Sequence, residues 1–347
     1  MSVTSAAMVR AEPGSAGTLP ALEVLRRHGE HTSAFLSLND ETQHFAAAGI
    51  DGYVAYRPAG RRHVIQLCGP FCAPGDRARL LREFRSWAAG RGAKVTAVQL
   101  TRDEAPAYAE QGFAVNQLGS SYSIDLEGFQ LRGTAFMKLR NKLKRARRLG
   151  VTVEELAPGQ PTSPDTAREL AEVDAAWLRG KGRLAKELTF MVGERAGRGA
   201  PYRRVLVARH EGRITCYVTY SPCFGSRPGW LYDLTRRRPD SPPGAVELVF
   251  ATMVERLRDE GCRWLHLGLT PFAALSREHE LPEASSGVVE RFASFMAEHG
   301  SAIYPSRAQE KFKLKWRPQV IEPEYVAFEG RPSVAAVYHL MRVTRAI

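Results

Sequence analysis

Apolar positions along this chain recur at two spacings, alternating in some segments and three or four residues apart in others, so both strands and helices are expected. Gly52 to Arg57 alternates, Pro58-Ala59-Gly60 reads as a turn and His63 to Cys68 returns, which predicts a hairpin. Asp76 is placed to cap a helix whose stripe is Leu80, Leu81, Phe84 and Trp87, ended near Gly90. Val95 to Leu100 predicts a short buried strand and a short helix closes at Gly112. Phe113 to Gln117 and Ser121 to Leu126 then read as a final strand pair. From Thr134 to Leu149, Phe136, Leu139, Leu143 and Ala146 form one helical stripe that Gly150 can stop.

The second half repeats the scheme. A helix is predicted over Thr166 to Leu178, and a hairpin of Arg203–Arg209 and Arg213–Tyr220 turns around Glu211-Gly212. Strand Trp230–Thr235, helix Ala245–Glu260, strand Arg263–Leu269, helix Val288–His299 and strand Tyr325–Phe328 follow. No close sequence repeat links the halves. Their similar order nevertheless predicts two copies of one α/β (α+β) fold, each a mixed central sheet flanked by helices. The expected division is a disordered tail over 1–18, an N-terminal domain over 19–133, a connecting helix over 134–150 and a C-terminal domain over 151–347, with Pro158 to Pro164 a loop.

Composition narrows the class. With 347 residues, 44% of them hydrophobic, the chain suits two globular domains. No stretch approaches the ~20 apolar residues of a membrane span. The first 18 residues lack the pattern of a signal peptide. The five cysteines form no CxxC pair, so reduced thiols, no zinc site and a cytoplasmic setting are expected.

Charge changes the picture most. Lys and Arg number 49 against 37 Asp and Glu, a net charge of +12, and eight of those bases lie between Gly128 and Val153 with no acid among them. The stripe faces inward while Lys138, Arg140, Lys142, Lys144, Arg145, Arg147 and Arg148 cover the rest of that helix. Seven bases without an acid repel one another on a bare surface helix, but phosphates explain them. The apolar stripe is narrow for a membrane-lying helix, so tRNA is the expected ligand.

Two further motifs carry chemistry. The stretch Tyr232 to Glu247 runs from a strand end through Asp233, Thr235 and Arg236-Arg237-Arg238 into a helix, and strand ends are where α/β sheets hold ligands. An acid beside three arginines can hold a substrate amine next to a phosphate. Pro242 and Pro243 occupy the turn where an acetyl-CoA enzyme would offer backbone N–H groups to a pyrophosphate, which disfavours coenzyme A. Lys311 to Trp316 alternates base with apolar and reads as an extended edge with its lysines on one face.

Together these residues resemble the soluble C-terminal domain of the phosphatidylglycerol lysyltransferases, the multiple peptide resistance factor family. The resemblance rests on Asp233-Leu234-Thr235-Arg236 with Arg238-Pro239-Asp240 and Gly244 after it, on His266 to Pro271, and on Lys313 to Pro318. Weaker matches are Asn39-Asp40, Gly69-Pro70 and Trp177 to Gly193, and the likeness spans about residues 30 to 328. It implies tandem GNAT-like acyltransferase domains, an aminoacyl-tRNA co-substrate in place of a cofactor, and the cognate aminoacyl-tRNA synthetase as a partner. Asp233 and Arg236 would be catalytic, with Glu247, Glu290, Lys313 and Lys315 substrate-binding. Arg237 and Arg238 would join the basic helix in tRNA binding. Tyr304 to Ala308 departs from the family's aromatic-Asn-Phe-x-Gly segment and the family's membrane-spanning half is not seen. These departures make the chain look similar to soluble relatives such as the seryltransferase of valanimycin biosynthesis. The resulting expectation is transfer, seryl among the options, to a small amine, hydroxylamine or hydroxyl acceptor in antibiotic biosynthesis. Transfer to phosphatidylglycerol at a peripheral membrane contact, an acetyl-CoA enzyme and a non-catalytic RNA-binding protein are the alternatives.

Overall fold

The computed structural model describes residues 20–157, 162–180, 188–300 and 306–346; the expected tail over 1–18 lies outside them. The first segment holds helix α1 (Pro20–His28), strands β1 (Gln43–Phe45), β2 (Gly52–Ala59) and β3 (His63–Cys72), and helix α2 (Arg77–Ala89). Strand β4 (Lys94–Leu100), helix α3 (Ala105–Glu110) and strand β5 (Phe113–Asp125) complete it. Helix α4 (Met137–Arg148) leads through β6 (Thr152–Leu156) and α5 (Pro164–Gly180) to strands β7 (Arg204–His210), β8 (Arg213–Cys223) and β9 (Gly229–Arg237). Helix α6 (Ala245–Asp259), strand β10 (Trp264–Pro271), helices α7 (Gly287–His299) and α8 (Ser306–Leu314), strand β11 (Val320–Glu329) and helix α9 (Val334–Val343) follow.

The eleven strands of the described residues form one sheet in the order β1-β2-β3-β4-β11-β5-β10-β9-β8-β7-β6. The halves mirror each other across its centre. β2 and β3 are antiparallel and β3 runs parallel to β4 through α2; β8 and β9 are antiparallel and β9 runs parallel to β10 through α6. Each half then sends its last strand into the other, β11 beside β4 and β5 beside β10. This repeat, with helices on both faces, is the tandem GNAT-like arrangement. The two faces show in the side chains of β2, where Val54 and Tyr56 pack with α2 while Tyr53 and Ala55 pack with α1.

Three expectations need correction. Residues 113–125 are one strand, not a pair. Gly119, in the interval between the two expected strands, is pressed by β10, since a Cβ there would lie 2.2 Å from the Thr270 carbonyl oxygen. Residues 311–316 belong to α8 and the turn after it, not to an extended edge. Phe312 and Trp316, one helical turn apart, both pack on Phe250, with ring centroids 6.1 and 4.1 Å from it. Asp76 makes no side-chain cap, because the chain enters α2 through a 3-10 turn that already sets its backbone helical at φ −95°, ψ −12°. The predicted stripe of the basic helix is buried as read, at Phe136, Leu139, Leu143 and Ala146.

Candidate functional site

β9 and β10 pair only over Gly229–Leu231 and Trp264–His266. Past that point β10 shifts register against β5 between His266 and Gly268, while β9 continues along β8. The carboxyl ends of the two parallel strands therefore part, and a cavity of about 710 Å³ fills the gap. Asp233, Thr235 and Arg236 from β9 and Gln309 and Lys313 from α8 are among its polar lining residues. Its remaining wall is largely apolar, with Val289, Phe292 and Met296 of α7 and Val337, Leu340 and Met341 of α9.

The Asp233 side chain is buried and accepts hydrogen bonds from the hydroxyls of Thr219 and Ser221 on the neighbouring strand. The Arg203 guanidinium stands 3.7 Å from its carboxylate, donates to Ser221 Oγ at 3.0 Å and to Asn39 Oδ1 at 2.6 Å, and rests on the Phe35 ring. Burial raises the Asp233 carboxyl above its ordinary value, against the pull of Arg203 and the hydroxyls, and it lowers Arg203. Asn39 also donates to the Val192 carbonyl at 2.8 Å, tying down the segment that brings Gly193 against Asp233. Arg236 lies over the Trp177 indole, its Cζ 3.8 Å from the ring centroid.

Lys313 is 4% exposed, and its Nζ donates to the carbonyls of Gly268 and Leu269 at 2.7 and 3.0 Å, in the stretch of β10 beyond its pairing with β9. Burial lowers its pKa to about 7, against the attraction of Glu324 and Glu310. Glu310 accepts from Tyr122 Oη at 2.9 Å, and the Lys313 ammonium lies 5.5 Å above that tyrosine's ring. His266 is held by Ser123 Oγ at 2.8 Å and the Arg227 carbonyl at 2.9 Å. Burial takes its pKa down to about 4, so it is a neutral brace.

The other residues named from sequence lie elsewhere. Glu247 accepts from Lys142 at 3.1 Å and Lys315 at 3.2 Å, so it joins α4 to the end of α8 and does not line the cavity. Burial would raise its carboxyl, but the two lysines hold it below its ordinary value. Lys313 and Lys315 are thereby separated, one reaching the cavity and one the basic surface. Glu290 is also absent from the cavity wall and lies 3.5 Å from Arg277. On α4, Arg140 donates to the carbonyls of Leu131 and Gly133 and Arg147 reaches Glu255 at 4.0 Å. Lys138, Lys144, Arg145 and Arg148 face solvent. Arg237 is exposed, whereas Arg238 is tied to the Ile214 carbonyl and Glu172.

Sequence reading did not single out Arg203, Thr219 and Ser221. The weak likenesses at Asn39 and at Trp177 to Gly193 were the only signals for the others around Asp233. Among the described residues, no group of His, Cys, Asp and Glu could hold a metal ion, and no helix is long and apolar enough to cross a membrane.

A tandem GNAT-like sheet with a largely apolar cavity, carrying a few charged side chains, at its parting strands defines an acyltransferase-type protein. The chain belongs to the family described as phosphatidylglycerol lysyltransferase, C-terminal, which it matches over residues 22–328. It is 26% identical over 311 residues to the phosphatidylglycerol lysyltransferase of Bacillus subtilis (strain 168), covering 89% of this chain and 34% of that protein. The chain thus spans about a third of the length of the curated relatives it matches. A crystal structure of the C-terminal DUF2156 domain of an Agrobacterium fabrum protein described as a lysylphosphatidylglycerol synthetase superposes with TM-score 0.75 at 25% identity, covering 94% of this chain and 97% of that one. L-PGS from Bacillus licheniformis shares the fold at TM-score 0.73 and 22% identity, covering 94% and 95% of the two chains.

Proposed function

We propose that this chain transfers the aminoacyl group of an aminoacyl-tRNA to a headgroup hydroxyl of a phosphatidylglycerol-type lipid. The observation that carries the reading is a single cavity whose lining joins Asp233, Arg236 and Lys313 to the apolar faces of α7 and α9. Such a space suits an acceptor with a polar headgroup and acyl chains. Family membership and the name of the Bacillus subtilis relative support the same acceptor. They favour it over the small amine, hydroxylamine or hydroxyl expected from sequence and over a place in antibiotic biosynthesis.

In this reading the tRNA backbone lies along the exposed bases of α4. The bridge from Lys142 through Glu247 to Lys315 leads from α4 to α8, where Lys313, two residues earlier, reaches the cavity. The ester at the tRNA 3′ end is already activated. The lipid hydroxyl oxygen bonds to the ester carbonyl carbon, the bond to the ribose oxygen breaks, and the hydroxyl proton passes to that departing oxygen. Asp233 holds the donor's ammonium group and Arg236 steadies the developing oxyanion or a nearby phosphate. Lys313, with a pKa of about 7, is placed to relay the proton. The α4 backbone packs on the start of α6, since a Cβ at Gly244 would lie 2.7 Å from the Lys142 carbonyl oxygen. With Pro242 and Pro243 in the same turn, this supports aminoacyl-tRNA over acetyl-CoA.

The test is to incubate the protein with tRNA carrying labelled amino acids and vesicles containing phosphatidylglycerol, then partition the products. Label entering the organic phase is the expected result, and its identity names the donor. Label in a water-soluble, RNase-resistant product of added small acceptors would return the reading to a small metabolite. Label remaining on tRNA, together with a melting temperature raised by acetyl-CoA, would turn it to acetyl transfer.

A further inference from the structure

Helix α9 lies beyond residues 22–328, where the family match ends. Its outward side is apolar: Val334 is 88% exposed and Tyr338, one turn on, 47%. Across the cavity mouth α7 presents Val288 at 66% and Phe295 at 58%. Val334 and Val288 also line the cavity, so the mouth itself has an apolar rim. Helices that bury one apolar face against the protein and offer a second to solvent are built for apolar surroundings.

Charge selects the partner. From Gly330 to Ile347 there are three arginines and a histidine and no acid. Arg345 is 3.9 Å from Glu41, while Arg331 and Arg342 face solvent and Arg342 leans over the Tyr338 ring at 5.9 Å. The acids of α7, Glu290 and Glu298, lie near Arg277 and His299. A basic segment carrying aliphatic and aromatic side chains matches the interface of an anionic bilayer. A second copy of the same surface would set these arginines against each other.

We infer that α9, with the outer edge of α7, docks the chain on an anionic phospholipid bilayer and opens the cavity mouth onto it. The purpose of this contact rests on the lipid-acceptor reading above; its existence is measured without it.

The experiment is cosedimentation of the full chain with vesicles of phosphatidylcholine alone and of phosphatidylcholine mixed with phosphatidylglycerol. Binding to the mixed vesicles should be about tenfold tighter or more. The exposed pair Tyr338→Glu and Arg342→Glu should weaken it about a hundredfold without changing the melting temperature. A Tyr338→Trp variant should gain fluorescence that brominated lipids quench beyond the wild-type signal. Wild-type protein that ignores anionic vesicles, a double variant that binds as well as wild type, or a Tyr338→Trp variant whose added fluorescence stays unquenched would each overturn the inference. Transfer to a short-chain, water-soluble phosphatidylglycerol separates the two proposals. Docking that depends on α9 without any transfer to that lipid would leave the docking surface standing and remove the lipid acceptor.

Discussion

Gly193 stands so close to Asp233 that a Cβ at this glycine would fall 2.3 Å from the carboxylate. The side chain proposed to hold the donor amine is thus fixed by a residue that has none. Gly193→Ala must push the carboxylate off the Thr219 and Ser221 hydroxyls. The expected loss in kcat/KM for aminoacyl transfer is about a hundredfold, with about 1–3 kcal/mol of stability lost to overpacking. Unchanged kinetics would separate Asp233 from the reaction.

Arg203 is the buried counter-charge of Asp233, and 2% of its surface is exposed. Arg203→Met leaves an uncompensated carboxylate and should cost about 3–5 kcal/mol in denaturant unfolding. Adding Asp233→Asn should restore part of that stability but no activity. A double variant no more stable than the single one would mean that the two charges are not coupled.

Stability should carry a signature of Lys313. Its native pKa of about 7 lies below the unfolded value of about 10.4, so between these limits the unfolded chain binds more protons. Its contribution to stability therefore rises with pH through that window, by at most about 1.4 kcal/mol per pH unit, and is flat below it. Subtracting the pH profile of Lys313→Met from that of wild type should isolate this slope. A flat difference would show that Lys313 keeps an ordinary pKa.

Sequence patterning made the strands and helices of each half legible, because a buried face writes its period into the chain. It also made the basic helix legible, where charge and stripe agree. What it missed was non-local. The exchange of β5 and β11 between halves leaves no local mark, and the strand that presses on Gly119 is more than a hundred residues away. Lys311 to Trp316 fits both periods, and the packing of Phe312 and Trp316 on Phe250 decided for the helix. In the site, Asp233, Arg236 and Lys313 were readable from motifs. Arg203, Thr219 and Ser221 were not, since an arginine or a hydroxyl on a strand has no meaning until a buried carboxylate is set beside it.

The basic helix divides into structural and free bases. Lys144→Glu, Arg145→Glu and Arg148→Glu alter only solvent-facing side chains, so folding should be kept. Binding of tRNA should weaken, and the slope of log K against log salt should fall by about one for each phosphate no longer neutralised. Arg140→Ala, which removes hydrogen bonds to Leu131 and Gly133, should instead lower the melting temperature. An unaltered salt slope in the triple variant would place the tRNA on another face.

The most direct test of the central claim is the rate at which label moves from aminoacyl-tRNA into phosphatidylglycerol, measured for wild type and Asp233→Ala side by side. The account predicts steady transfer to the lipid by wild type, and loss of about two orders of magnitude or more in a variant that still folds and binds tRNA. Equal rates from both proteins, or transfer by wild type to a water-soluble acceptor and not to the lipid, would contradict it.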